Sequence, residues 1–328
     1  YAEFLKYDPK DPNWFNRDRF FLDPGHMSPM LYSILTLTGH YQTTDLENFR
    51  QWCSITPGHP EVDVMRGVEN TSGPLGQGHT MAVGAAIAQK FLEARFGNRV
   101  SHDIYTFISD GGIQEEISQG AGRIAGYLGL DNLVMFYDSN DIQLSTTTDA
   151  VTVEDTAKKY KAWGWEVVTI NGNDADQIRK ALTDAKNLKG KPYLIIGKTV
   201  MGKGALAPDG SSKEADYTTH GQPLSAAGAS IEKTIVNLGG NPAEPFAIFD
   251  DVAEYWKGIS VKKSADAAKI KAQESAWATA NAELAAKLAQ FLSGKAPEID
   301  YSAVEQKADQ ATRSASATML AVFAKEVE

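Results

Sequence analysis

Two side chains with oxygen donors, Asp110 and Asn140, each follow a short apolar run, at residues 104–108 and 133–137. If the two runs are neighbouring strands of a parallel sheet, both side chains lie at the same edge of that sheet. A carboxylate, an amide oxygen and a backbone carbonyl are hard donors that Mg²⁺ prefers, and Mg²⁺ usually takes further oxygens from a phosphate. The pair therefore predicts a cation that holds a diphosphate. The alternative for each residue alone is a turn residue or a helix N-cap.

A glycine-rich segment, residues 73–78, precedes a run of helical character that extends from about His79 to Phe96. Glycine permits left-handed backbone and close approach of a ligand. Free N–H groups at the start of a helix attract anions. The segment therefore indicates an anion-binding loop, and a plain helix-initiating turn explains the same composition.

Three histidines, His26, His59 and His220, each stand beside a glycine in a predicted loop. Loops held by a rigid scaffold often carry functional side chains. Imidazole can bind phosphate or transfer a proton near neutral pH. A surface or capping role is the alternative for each histidine taken alone, and the other three histidines are given no role.

The elements that must position these residues follow from an alternation of apolar and helical stretches. Four β-rich apolar runs predict strands at residues 104–108, 133–137, 166–170 and 193–197, and helical spacing predicts helices at 115–130, 153–163 and 174–188. Strand, helix and strand in succession predict an α/β fold, a doubly wound parallel sheet with helices on both faces. Ligands of such sheets bind at the carboxyl ends of the strands, where Asp110 and Asn140 stand.

Composition divides the chain into three predicted parts. Residues 1–254 carry the α/β pattern and are predicted to form the domain that binds the diphosphate and the metal. Residues 255–300 are rich in Ala, Lys and Glu and predict a helical connector, with one long amphipathic helix from about residue 261 to 292. Residues 301–328 open a further domain with another helix. Within the first part, residues 200–223 predict a long functional surface loop.

The overall composition excludes several classes of function. A net charge of −10 argues against a nucleic-acid-binding surface, which needs clustered Lys and Arg. No apolar run reaches the roughly 18 residues that a membrane span requires. Cys53 is the single cysteine, so no disulfide closes within this sequence, which fits a reducing compartment. We expect its thiol to be buried or half-buried and inert.

Five segments of the sequence occur in the order and at the intervals of the transketolase family. They are residues 18–26 (DRFFLDPGH), 56–61 (TPGHPE), 71–78 (TSGPLGQG), Asp110-Gly111 with Asn140, and 219–224 (THGQPL). The sequence resembles that family over nearly its whole length. The resemblance implies a first domain that holds the diphosphate of thiamine diphosphate. A pyrimidine-binding domain and a C-terminal domain follow it in the family, and this chain would reach only the opening of the pyrimidine-binding domain.

The resemblance also implies roles for individual residues. The metal, Mg²⁺ or Ca²⁺, would be held by Asp110, Asn140 and the carbonyl of Ile142. Cofactor contacts would come from His26, Gly73, Leu75, Gly111, Asn140, Leu144 and His220. Substrate contacts would come from His59, His220 and Arg313, and the catalytic histidines would be His26, His59 and His220. Glu115 would lie at a contact between the two subunits of a homodimer.

The activity implied by the resemblance is transfer of a two-carbon ketol unit from a ketose phosphate to an aldose phosphate. Such an enzyme would be cytoplasmic and would belong to the pentose phosphate pathway. We expect the chain to be inactive alone, because the family's glutamate that activates the cofactor would lie beyond Glu328. The alternatives are another thiamine diphosphate enzyme, such as 1-deoxyxylulose-5-phosphate synthase or dihydroxyacetone synthase, or a non-catalytic half-subunit. Ser109 and Gly120 depart from the family pattern, as does the pair Asp23-Pro24.

Overall fold

A five-stranded parallel sheet forms the centre of the computed structural model, which describes residues 1–327. The strands are β1 (Arg19–Leu22), β2 (Ile104–Ser109), β3 (Leu133–Ser139), β4 (Glu166–Asn171) and β5 (Tyr193–Lys198). They lie in the order β1-β2-β3-β5-β4, and every neighbouring pair is parallel. The predicted α/β fold and its four strands are confirmed.

The helices of the described residues alternate with these strands and then continue into the connector. They are α1 (Ser28–Leu37), α2 (Thr43–Glu47), α3 (Gln77–Phe96), α4 (Asp110–Gln114), α5 (Glu116–Leu128), α6 (Thr156–Ala162), α7 (Ala175–Asn187), α8 (Ile231–Asn237), α9 (Asp250–Ala280), α10 (Ala282–Leu292) and α11 (Thr312–Glu326). None of these helices combines the length and the apolar composition that crossing a lipid bilayer requires.

Side chains that alternate along each strand divide between two hydrophobic clusters. Ile104 and Leu133 point toward α3 and α5, where small alanines let the helices pack closely on the sheet. The intervening residues, Tyr105 and Val134, belong to a second cluster that contains the alanines of α7. Because successive strand residues face opposite sides, helices cover both faces of the sheet, as the doubly wound prediction requires.

Strand β1 was not predicted, although it positions one of the candidate histidines. It is only four residues long, pairs with β2 alone, and has two half-buried residues at its start. Such a short edge strand carries too little periodicity to separate it from a loop. Its end leads directly into a 3-10 turn, Gly25–Met27, that contains His26.

The helix expected from residue 115 to 130 is confirmed as α5 (Glu116–Leu128). A separate short helix, α4, precedes it, and Glu115, whose backbone is extended with ψ of 132°, lies between the two. The single connector helix was wrong: α9 ends at Ala280, and Asn281, with φ of −133°, separates it from α10.

The contacts within the chain define two units, Tyr1–Glu274 and Ser275–Glu328. The division falls inside the predicted connector, and the three-part division at residues 254 and 300 stays a prediction. The buried thiol expected at position 53 was wrong. Cys53 is exposed, with a positive φ of 60°, beside a turn in which Ser54 donates its N–H to the carbonyl of Gln51.

Candidate functional site

A cleft of about 550 Å³ opens at the carboxyl ends of β2, β3 and β5, within the first unit. Eight of the predicted site residues line it: His26, Leu75, Asp110, Gly111, Asn140, Ile142, Leu144 and His220. The strand register places Ser109 opposite Asp138, so β2 and β3 end at the same level. This is the position at which parallel sheets generally bind their ligands.

Asp110 joins the ends of β2 and β3 through its carboxylate and is only 2% exposed. One carboxylate oxygen, Oδ2, accepts hydrogen bonds from the backbone N–H groups of Asn140 and Asp141, both at 3.1 Å. The other, Oδ1, accepts from the hydroxyl of Tyr137. Burial raises the pKa of Asp110 to about 6, while the hydrogen bonds from Tyr137 and Asn140 oppose that rise. The site is therefore built around a buried acid.

The alternative of a turn or cap fits one residue of the pair and not the other. Ser109, and not Asp110, is the N-cap of α4, because its hydroxyl accepts the N–H of Gly112 at 3.4 Å. Asn140 does make a turn contact, since its Oδ1 accepts the N–H of Ile142 at 3.0 Å. An amide oxygen has a second lone pair, so this contact leaves it able to bind a cation.

The donor set at the sheet edge suits a cation that is completed by a phosphate ligand. Within residues 1–327, no group of three or more His, Cys, Asp or Glu is placed to hold a metal by protein side chains alone. Asp110, Asn140 and a backbone carbonyl leave positions open, which is the arrangement that Mg²⁺ fills with phosphate oxygens. Gly111 adds the necessary space, because a Cβ atom there would stand 2.8 Å from Cδ1 of Leu75. The residues present therefore fit a metal with a diphosphate.

His26 and His220 form one wall of the cleft. Their rings stack with centroids 5.2 Å apart and planes at 28°. Burial lowers the pKa of both, that of His26 to about 4, so both rings are neutral at neutral pH. Nδ1 of His220 is buried and has no hydrogen-bond partner among the described residues. A buried polar atom without a partner at the wall of a cleft is a place for a ligand to bind.

His59 and Gly73 meet beside His26 but do not line the cleft itself. A Cβ atom on Gly25 would lie 2.9 Å from the backbone nitrogen of Gly73 and 2.9 Å from Cδ2 of His59. The three loops that carry these residues are therefore in direct contact, and Gly25 is small enough to allow it. His59 also adds to the positive surroundings that lower the pKa of His26, after burial and the effect of His220.

Comparison with known proteins identifies the family. The family model described as "Transketolase, thiamine diphosphate binding domain" matches residues 1–297. The chain belongs to the transketolase family. The transketolase of Geobacillus stearothermophilus is 38% identical over 100% of this chain and 49% of that protein. The chloroplastic transketolase of Solanum tuberosum is 40% identical over 90% of this chain and 40% of that protein.

Solved structures give the same result for the fold. The transketolase from Leishmania mexicana superposes with a TM-score of 0.88 and 36% sequence identity, and the match covers 99% of this chain and 49% of that one. The transketolase from Campylobacter jejuni superposes with a TM-score of 0.85 and 36% identity, and the match covers 99% of this chain and 49% of that one. The chain thus spans about half the length of the transketolases it matches.

Two further residues that the transketolase resemblance singled out, Glu115 and Arg313, are both exposed. Glu115 is exposed at the break between α4 and α5, and a Cβ atom on Gly76 would stand 2.9 Å from its Cβ. Glu115 therefore lies beside the glycine-rich loop and outside the cleft. Arg313 is exposed in the first turn of α11, which belongs to the second unit. Its role in a transketolase site stays a prediction.

Sequence reasoning missed one residue that organises this transketolase-family site. Asp23 is fully buried at the end of β1, and its carboxylate accepts the N–H of Gly76 at 3.1 Å and that of His79 at 3.2 Å. Burial raises its pKa against these hydrogen bonds. The carboxylate thus ties the turn before His26 to the N-terminus of α3. The sequence pattern that could have identified Asp23 is an acidic residue between an apolar run and Pro-Gly.

Proposed function

We propose that this chain provides the half of a transketolase that binds a metal and the diphosphate of thiamine diphosphate. The complete enzyme would transfer a two-carbon ketol unit from a ketose phosphate to an aldose phosphate. The observation that carries the proposal is the pair of hydrogen bonds from the backbone of Asn140 and Asp141 to the carboxylate of Asp110. They bring the oxygen donors of two strand ends together at the edge where such ligands bind.

Asp110, Asn140 and the carbonyl of Ile142 would hold Mg²⁺ or Ca²⁺, and Gly111 leaves room for the diphosphate beside them. When bound, thiamine diphosphate would supply the nucleophilic carbon and the electron sink that ketol transfer requires. The contribution of the protein is then to bind, to orient and to exclude water. The buried position of Asp110 suits this role, because charges attract more strongly where water is absent.

The histidines would act on oxygens around this centre. His26 and His220 are neutral, so each ring offers one N–H donor and one acceptor to the cofactor or the substrate. The buried Nδ1 of His220, which lacks a partner among residues 1–327, would gain one from the ligand. His59, which touches the same loop as Gly73, would contact the hydroxyl groups of the ketose.

The apolar and backbone contacts would orient the rings of the cofactor. Leu144 lines the cleft yet is 71% exposed, which is unfavourable for a leucine unless a ligand covers it. It would support the bent cofactor from below. Gly73 and Leu75 would offer backbone groups to the aminopyrimidine ring, and Gly73, with φ of 151°, has a backbone conformation suited to glycine.

We also propose the homodimer, with Glu115 at the contact between the subunits. Ile117, Ile124 and Leu128 form one exposed apolar stripe on α5, next to Glu115, with exposed fractions of 50%, 50% and 48%. Such a stripe supports association with another protein surface. Arg313 would bind the phosphate of the sugar, since its guanidinium is a rigid fork of donors. A cytoplasmic location and a place in the pentose phosphate pathway belong to the same proposal.

Titration calorimetry with thiamine diphosphate tests the cofactor assignment. We expect binding in the presence of Mg²⁺ and none after chelation with EDTA. Mixing the chain with a separately produced C-terminal half of the Geobacillus stearothermophilus transketolase tests the activity. Ketol transfer by the mixture and by neither half alone supports the enzyme. A stable but inactive complex favours the alternative of a non-catalytic half-subunit.

A further inference from the structure

Asp141 occupies the centre of the loop that carries two of the proposed metal ligands, Asn140 and Ile142. Its φ of 62° is left-handed, a region that residues other than glycine rarely adopt. The N–H of Asp141 donates to Asp110 at 3.1 Å, and its carbonyl accepts the N–H of Thr148 at 3.0 Å. Both contacts depend on this backbone conformation. The loop therefore needs a restraint on a residue that would otherwise prefer another conformation.

Lys198, the last residue of β5, supplies a contact on each side of Asn140. Its Nζ donates to Oδ1 of Asp141 at 2.9 Å and to the hydroxyl of Ser139 at 2.8 Å. The sheet register places Lys198 directly opposite Ser139, so the ammonium is held at the start of the loop by the sheet itself. One side chain from a neighbouring strand thus joins the residue before Asn140 to the residue after it.

Neither partner of this ion pair lines the cleft. Lys198 and Asp141 instead line a separate cavity of about 390 Å³, together with Ser139. Their side chains are 51% and 61% exposed, so the pair adds little to the overall stability of the fold. Its effect is local: it favours the left-handed backbone of Asp141, and it neutralises a carboxylate close to the proposed diphosphate.

We propose that Lys198 and Asp141 form a clamp that holds the loop from Asn140 to Ile142 in the shape that binds the metal and the diphosphate. Lys198 is then a positioning residue that acts through Asp141 and makes no contact with the ligand. This inference rests on the proposed function, because the ligand of the loop is the metal with its diphosphate. Part of the affinity for the cofactor would then come from Lys198, which lies at a strand end outside the cleft.

The test compares Lys198→Met with a double variant that no longer needs the clamp. Titration calorimetry with thiamine diphosphate at saturating Mg²⁺ should show binding about five- to tenfold weaker in Lys198→Met. Asp141→Gly removes the charge, and glycine adopts the left-handed conformation freely. Adding Asp141→Gly to Lys198→Met should therefore restore affinity to within about twofold of the unaltered protein.

A matched control removes an equally exposed ion pair elsewhere. Lys180 pairs with Asp184 on α7, where both residues are exposed and neither lines the cleft. Lys180→Met should leave the affinity for thiamine diphosphate unchanged. The melting temperature of the ligand-free protein should be the same in Lys180→Met and Lys198→Met, because each loses one surface pair.

Hydrogen exchange of the ligand-free protein gives a readout that does not depend on cofactor binding. Amides of residues 139–148 should exchange about tenfold faster in Lys198→Met and at the normal rate in Lys180→Met. Unchanged exchange overturns the clamp. A double variant that binds as weakly as Lys198→Met also overturns it, because Lys198 would then contact the ligand directly. Absence of binding by the unaltered protein, with faster exchange in Lys198→Met, leaves the clamp in place and rejects the proposed function.

Discussion

The two sides of the cleft are held in different ways. On the side of the strand ends, Asp110 and Tyr137 are 2% and 7% exposed, and both carboxylate oxygens of Asp110 already accept hydrogen bonds. On the side of the loops, Leu144 is 71% exposed, and His220 has a buried Nδ1 without a partner among residues 1–327. The first side is organised before any ligand binds. The second side has contacts still to make, and the ligand is expected to supply them.

The largest expected effect comes from removing the acid at the strand ends. Asp110→Ala should weaken Mg²⁺-dependent binding of thiamine diphosphate by a factor on the order of 100 or more, since it removes the only proposed carboxylate ligand. Tyr137, Asn140 and Asp141 would also lose their shared acceptor, at a cost of about 1–3 kcal/mol in the free energy of unfolding. Calorimetry measures the first effect and chemical denaturation the second. Asp174→Ala, at the half-buried N-cap of α7, is the control for affinity, because Asp174 does not line the cleft.

Unchanged affinity in Asp110→Ala, with the protein still folded, would refute the metal assignment. The side of the cleft at the strand ends would then stabilise the fold without binding the ligand, and the comparison between the two sides would no longer concern ligand binding.

Acid should destabilise the fold through His79, which lies in the first turn of α3 and is fully buried. Burial lowers its pKa to about 4, below the 6.5 of a free imidazole. Its contribution to stability is therefore present above pH 6.5 and is lost as the pH falls toward 4. The loss amounts to about 3 kcal/mol in the free energy of unfolding. Denaturation at pH 7.5 and pH 4.5 measures it.

His79→Leu separates this effect from other acid-sensitive groups. The variant loses the hydrogen bond between Nδ1 and the hydroxyl of Ser118, so it should be less stable at pH 7.5. Its stability should then fall less steeply between pH 7.5 and pH 4.5 than that of the unaltered protein. Identical pH dependence in the two proteins would contradict the assignment.

His59 tests whether the loops beside the cleft serve the substrate and not the cofactor. Because His59 contacts the loops of His26 and Gly73 without lining the cleft, His59→Ala should raise the KM for the ketose donor about tenfold. The Kd for thiamine diphosphate should change less than about twofold. Steady-state kinetics of the reconstituted enzyme and calorimetry give the two values. Equal changes in both would reject the role proposed for His59.

The smallest effect is expected at Leu144. Leu144→Ala should weaken binding of thiamine diphosphate about threefold, because the ligand buries less apolar surface. The melting temperature of the ligand-free protein should not change, since the side chain is already 71% exposed. Val153→Ala is the matched control: Val153 is 98% exposed and does not line the cleft, so neither quantity should change. A lower melting temperature in Leu144→Ala would place Leu144 in the packed structure and not in the ligand site.

The meeting of Asp110 and Asn140 could be predicted because it depends on local signals alone. Each follows a strand buried on both faces, and parallel neighbours end at the same edge of a sheet. The roles of Leu144 and Arg313 came only from the family resemblance, because nothing in their spacing distinguishes them from surface residues. The glycine beside His59 indicated a functional loop, but the contact of His59 with the ketose came only from the resemblance. All three roles stay predictions, and Arg313 belongs to the second unit.

What could not be predicted depends on contacts between distant parts of the chain. Asp23 accepts hydrogen bonds from Gly76 and His79, which lie more than fifty positions later. No periodicity links these residues, and the contact exists only because β1 ends beside the start of α3. The break at Asn281 was missed for a different reason: its neighbours are good helix formers, so intrinsic propensity favoured a continuous helix.

The buried carboxylate of Asp23 has a consequence for how this domain can vary. The chain leaves the sheet at Asp23, passes through α1 and α2, and returns at Gly76 to within hydrogen-bond distance of its point of departure. Residues 23–76 thus form a loop whose two ends are held together by the hydrogen bond between Asp23 and Gly76. Insertions or deletions near the outer turn of this loop, around residues 50–54, should leave the distance between His26 and Leu75 unaltered. The hydrogen bond between Asp23 and Gly76 sets that distance.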